Sequence, residues 1–121
     1  MDVRIKAKDF EMNDSAQEYL DERMLAIEKH LGSDALLARC EVELGRAVGH
    51  SKHGEIWFAE FQIALPGSEV LRVVSDGETV NAAIDAAKDE VLLKIKKDKT
   101  RRFALARKAG AQIKNWLRFG E

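Results

Sequence analysis

The chain has 121 residues, 45% hydrophobic and 34% charged, with one proline and one cysteine, which suits a single soluble domain and leaves no room for two of ordinary size. Four charges in the first eight residues exclude a secretory signal, no stretch approaches membrane-spanning length, and Cys40 alone cannot close an internal disulfide, so a reducing, cytoplasmic location is expected. The net charge of -1 hides an asymmetry: residues 1–93 hold 10 Lys+Arg against 19 Asp+Glu, or -9, whereas residues 94–121 hold 10 against 2, or +8, which suits one oriented contact with phosphates better than an all-round nucleic-acid coat.

Val3, Ile5 and Ala7 alternate with Arg4, Lys6 and Lys8, predicting a first, half-buried strand with one basic face. Asn13 and Asp14 offer capping side chains for a helix over about 15–31, with Gln17 three positions after Asp14 in a weak capping box. Ala16, Leu20, Met24, Ile27 and Leu31 form its apolar stripe, and Gly32 is placed to end it in the left-handed conformation. Ala38, Cys40, Val42 and Leu44 alternate with Arg39, Glu41 and Glu43 in a second strand ending at Gly45. Cys40 falls on the apolar face and reads as a buried structural thiol, since no partner spacing suggests an activated nucleophile.

The loop GRAVGHSKHG follows over 45–54. His50 and His53 lack a third ligand at recognisable spacing, so no metal site is expected, and no Gly-Lys-Ser/Thr opens a helix as a phosphate loop requires. A third strand over 55–65 turns Trp57, Ala59, Phe61, Ile63 and Leu65 to one face, and Pro66 and Gly67 join it as a hairpin to a fourth strand over 70–75. Ser75 and Glu78 fit a capping box for a second helix starting near Asp76. Its stripe is Val80, Ile84, Ala87, Val91 and Ile95. Beyond it stand six basic residues in nine, Lys94, Lys96, Lys97, Lys99, Arg101 and Arg102, more than dipole complementation needs, with Arg102 on the continuation of the apolar arc. The helix is therefore expected to outrun the body it packs on.

The order β-α-β-β-β-α predicts an α+β two-layer sandwich, with a four-stranded mixed sheet and both helices on one face. The right-handed crossover makes strands one and two parallel neighbours and leaves the other pairs antiparallel. The open sheet face should display Arg4, Lys6, Lys8, Arg39, Glu41, Glu43, Glu60 and Gln62.

Three stretches, in this order and spacing, resemble the ribosome hibernation-promoting factors, also called ribosome-associated inhibitor or sigma-54 modulation proteins. They are VRIKAKDFEMNDSAQEYLDERMLAIEKHL, with Leu20, Ile27, Glu28 and Lys29 in matching places; FQIALPGSEVLRVVSDGETV, a strand, Pro-Gly turn and strand; and NAAIDAAKDEVLLKIKKDKTRR, whose Ala83, Ile84 and Asp85 match a recurring triplet. The resemblance spans residues 1–102. It implies a protein that enters the small ribosomal subunit, occupies the channel of mRNA and the A-site and P-site tRNAs, stops translation and preserves the idle ribosome. It further implies that Arg23, Lys29, Lys88, Lys94, Lys97, Lys99, Arg101 and Arg102 contact rRNA phosphates, by counterion release rather than catalysis. The expected partners are the small subunit, its rRNA and the whole ribosome, with no cofactor, no small-molecule substrate and no membrane.

Long members of that family carry a linker and a second, dimerising domain that nothing here resembles, so the chain is expected to behave as a short form. Residues 103–121, FALARKAGAQIKNWLRFGE, instead read as a basic amphipathic tail with Leu105, Ala109, Ile113, Trp116 and Leu117 at helical spacing. Trp116 suits a base, the domain's own surface or a protein partner. Two other readings remain open: a generic double-stranded RNA-binding domain, and a protein-protein adaptor anchored by the hairpin or Trp116. No carboxylate pair, triad or metal set has a spacing that suggests an enzyme.

Overall fold

Apolar residues at every second position, bounded by turn residues, build four strands, and two stripes at helical spacing build the helices that cover them. The computed structural model describes residues 1–47 and 56–119, with side chains described through Thr100 and at Lys108. The elements are β1 (Asp2–Lys8), α1 (Asp14–Leu31), a 3-10 turn (Gly32–Leu37), β2 (Arg39–Arg46), β3 (Trp57–Ala64), β4 (Leu71–Gly77) and α2 (Val80–Phe119). The sheet order is β1-β2-β3-β4, with β1 and β2 parallel and the other pairs antiparallel, so the expected topology is borne out.

The core lies between the helices and one sheet face. Cys40, Val42 and Leu44 of β2, Ala59, Phe61 and Ile63 of β3 and Val73 of β4 meet Leu20, Met24 and Ile27 of α1 and Ile84, Ala87, Val91 and Ile95 of α2. Phe61 is fully buried on a central strand, and its burial stabilises the fold by about 1.5–3 kcal/mol relative to exposure. Cys40 is enclosed there too, and burial pushes its thiol up to about 12, which keeps it protonated and inert.

Three details differ from the sequence reading. β1 does not bury a whole face: Val3 packs on the core, but Ile5 is 37% exposed and Ala7 is exposed, because β1 is an edge strand beyond the cover of the helices. α2 begins later than the Ser75–Glu78 pattern implied. β4 holds its register with β3 through Gly77, pairing Ser75 with Ala59 and Gly77 with Trp57, and Thr79 becomes the cap, its Oγ1 accepting from the Ala82 N–H at 3.0 Å. The strand then passes so close to the helix that a Cβ on Gly77 would sit 2.5 Å from the Ala83 nitrogen. Finally, α1 starts with Asn13, one of the two expected capping residues, its side chain accepting from Ala16 N–H, but its end differs. It ends at Gly32 with φ +61° but ψ −130°, a positive-φ conformation outside the left-handed helical region, from which the 3-10 turn departs.

The β3–β4 connection follows the Pro-Gly pattern. Gly67 has φ +74° and Ser68 N–H donates to the Leu65 carbonyl at 3.2 Å, a type II turn. Most of the 45–54 loop, including His50 and His53, lies outside the described residues. Among the described residues no helix is long and apolar enough to cross a membrane, and no three His, Cys, Asp or Glu residues are grouped to hold a metal ion.

Candidate nucleic-acid interface

α1 and α2 run parallel. Tyr19 and Arg23, in the first half of α1, meet Asp85 near the start of α2, while His30 in the last turn of α1 meets Lys99 further along α2. Both helices therefore bring their later, basic segments to the same end of the molecule. The β3–β4 turn arrives there as well: Leu65, residues 67–72, Lys94, Lys97 and Asp98 line one groove of about 560 Å³.

The eight basic residues singled out from the sequence divide into distinct environments. Arg23 is drawn into the helix-helix contact: its Nε donates to Asp85 Oδ1 at 3.0 Å, one terminal nitrogen lies 2.8 Å from Glu22 Oε2, and the guanidinium stacks 3.5 Å from the Tyr19 ring centroid. The Tyr19 hydroxyl donates to the other Asp85 oxygen. Burial alone would raise the Asp85 pKa, but the hydrogen bonds from Tyr19 and Arg23 outweigh it and hold the carboxyl below its ordinary range. The same bond to Asp85 raises the Tyr19 and Arg23 pKa values. Lys88 stands 2.9 Å from Asp89. Charge is largely neutralised in this half of the helix pair.

The other end uses its lysines differently. Lys94 Nζ donates to the Arg72 backbone carbonyl at 2.9 Å, and Lys99 Nζ donates to the His30 carbonyl at the C-terminus of α1. A carbonyl fixes an ammonium without cancelling its charge, so these two cations are held in place and remain cations. Lys29 and Lys97 have no ion-pair partner among the described residues. Arg101 and Arg102 continue α2 beyond Thr100, as do residues 103–119, and their side chains, with that of Trp116, lie outside those described. α2 has 40 residues, about 60 Å of helix, and among the described side chains Ile95 is the last that joins the core.

Sequence reasoning missed two partners at this end. His30, with Nδ1 2.9 Å from the Ala26 carbonyl, and Leu93, 58% exposed off the apolar stripe, line a second groove on the α1 side of α2 together with Lys96 and Lys99. Only the parallel pairing of the helices brings them together. The open sheet face carries the expected mixture: Arg4 and Lys6 line a depression of about 310 Å³ with Glu41, Glu43, Glu60 and Gln62, and Glu60 accepts from both Gln62 and Arg72. Its mixed charge makes it a poorer polyanion surface than the basic end.

Comparison with known proteins gives the same architecture. Two solved structures align over most of the chain: the N-terminal domain of Thermus thermophilus Protein Y, at TM-score 0.65 and 23% identity, covers 80% of this chain and 98% of its own length. A ribosomal subunit interface protein from Coxiella burnetii, at TM-score 0.64 and 10% identity, covers 83% of this chain and 99% of its own. These likenesses show the fold. No curated protein matches the sequence. The family model described as sigma 54 modulation protein / S30EA ribosomal protein matches residues 3–102, every element from β1 to the basic segment of α2, and the chain belongs to that family.

Proposed function

We propose that the protein is a ribosome hibernation factor that binds the small ribosomal subunit in the mRNA and tRNA channel, across the A and P sites, where it blocks translation and preserves idle ribosomes in the cytoplasm. The observation that carries this reading is the end where Lys94 and Lys99 are pinned to backbone carbonyls, with Lys29 and Lys97 beside them and Arg101 and Arg102 following on α2. Fixed, uncancelled cations on a rigid body match folded rRNA, whose phosphates are also fixed, and they release counterions without first having to be ordered. Family membership and the printed names of the two structural relatives support the ribosome as the polyanion. The mechanism is occupancy: the two-layer body excludes the native ligands by volume, and no step of covalent chemistry is involved. Residues 103–121 form a separate basic extension in this reading and add contacts beyond the body.

The test is co-sedimentation of the protein with small subunits and whole ribosomes over a salt series, against a plain RNA duplex and with tRNA as competitor. Saturable, salt-sensitive binding to the small subunit that tRNA displaces supports the proposal. Equal binding to the duplex points to a generic duplex binder, and salt-insensitive binding points to a protein-protein adaptor.

A further inference from the structure

The groove between the last turn of α1 and the stretch of α2 from Asp89 to Thr100 has a makeup that phosphate binding alone does not require. It encloses about 430 Å³ and is lined by His30, Leu92, Leu93, Lys96, Lys99 and Thr100, with Ile95 at its floor. A surface that meets only phosphates needs cations and no apolar wall, yet Leu93 presents most of its side chain here, on the most basic stretch of the chain. The His30 imidazole is exposed and lines the groove, and the contact of Nδ1 with the Ala26 carbonyl sets its orientation. Lys99 is anchored on the His30 carbonyl, and Thr100 Oγ1 donates to the Lys96 carbonyl at 2.9 Å, so its oxygen can still accept. Asp89, a carboxylate on the wall, stands 2.9 Å from the Lys88 ammonium, which partly offsets its repulsion toward an anion.

A flat apolar body with an anionic group beside it fits this combination. The occupant is a nucleotide, and it is an unpaired one, because bases in a duplex are stacked and their faces are closed to a protein side chain. We infer that this groove receives a single unstacked nucleotide of RNA, its base against Leu93 and the His30 ring and its phosphate between Lys96 and Lys99. The inference rests on the ribosome reading for the source of that RNA and refines it. The basic end does not merely follow the backbone of rRNA helices but engages a splayed nucleotide of a loop or bulge, and His30 becomes a binding residue.

The experiment uses the full-length, isotope-labelled protein titrated with tetra-adenylate RNA and, at equal phosphate, with a blunt RNA duplex, while resonances are followed by NMR. Tetra-adenylate is expected to shift His30, Leu92, Leu93 and Thr100, whereas the duplex shifts the lysines and leaves Leu92 and Leu93 in place. The double variant His30→Ala with Leu93→Ser alters two exposed side chains, preserves the His30 carbonyl that holds Lys99, and should keep the melting temperature. It should weaken tetra-adenylate binding about tenfold, as loss of base stacking does, with duplex affinity unchanged. Absence of tetra-adenylate shifts in the groove, the same response to both RNAs, or unaltered oligonucleotide affinity in the double variant overturns the inference. Co-sedimentation separates the two proposals. Failure of the unaltered protein to bind ribosomes overturns the ribosome reading alone, while ribosome binding that the double variant retains in full overturns the groove.

Discussion

Besides their shared apolar core, α1 and α2 are joined by two polar contacts, and the two treat positive charge in opposite ways. At the first, Arg23 faces the Asp85 carboxylate, Tyr19 completes the shell around that carboxylate, and the group as a whole carries little net charge. At the second, Lys99 binds the carbonyl of His30, where the last turn of α1 leaves acceptors unfilled, and its charge is spent on nothing. The first contact orients the helices. The second uses that orientation to hold a cation still. A basic residue's partner, more than its presence, decides whether it is available to a phosphate.

The largest expected effect comes from reversing the second region. Lys94→Glu, Lys97→Glu, Arg101→Glu and Arg102→Glu together should lower small-subunit affinity at least about a hundredfold in co-sedimentation, with the circular dichroism spectrum preserved, because four cationic contacts are lost and four repulsions gained. Full binding by that variant would move the contact elsewhere. Deleting residues 104–121 should weaken ribosome binding by about tenfold, as removal of a few phosphate contacts does, without altering the body. Unchanged affinity would show the extension to be a bystander.

A finer comparison sets Lys99→Gln against Lys29→Gln. Both remove one charge, but Lys99 is pre-positioned and Lys29 is not, so the Lys99 variant should lose about threefold more affinity in the same assay. Equal losses would show that the carbonyl anchor contributes nothing to recognition. At the first region the expectation is inverted. Asp85→Asn should lower the melting temperature by a few degrees while ribosome affinity stays within about twofold, since a partly exposed ion pair contributes modestly to stability.

The smallest effect is a pH dependence confined to the first region. The Asp85 pKa is lowered in the folded protein, so its stabilisation is fully present above the ordinary value of 3.8 and is lost as pH falls through the lowered folded value. The difference in melting temperature between the unaltered protein and Asp85→Asn should therefore close on acidification across that window. A difference that persists below it would mean that Asp85 acts by packing rather than by charge.

Much of this architecture was legible because single elements announce themselves locally. The stripes of α1 and α2, the alternation of β2 and β3 and the Pro66–Gly67 turn each depend on neighbours a few positions away, and each is found where the spacing placed it. The start of α2 was misread because Ser75 and Thr79 both offer cap chemistry, and strand pairing through Gly77 decided between them. The division of the basic residues was not legible at all. Arg23 looks like any flank residue until Asp85, 62 positions away, is brought beside it, and Leu93 looks like a stray apolar residue until α1 supplies the other wall of its groove.

The position of β1 has a further consequence. It joins the sheet along one side only, through parallel bonds to β2, and apart from Val3 it buries little. β2, β3 and β4 form a three-stranded sheet that α1 and α2 cover together, so β1 is the strand expected to open first. The docking of β1 thus depends on β2 alone, and its amides should exchange with solvent by local opening well before those of β3. A sheet that gives way at one margin lets the body yield there while the end that holds the lysines stays rigid.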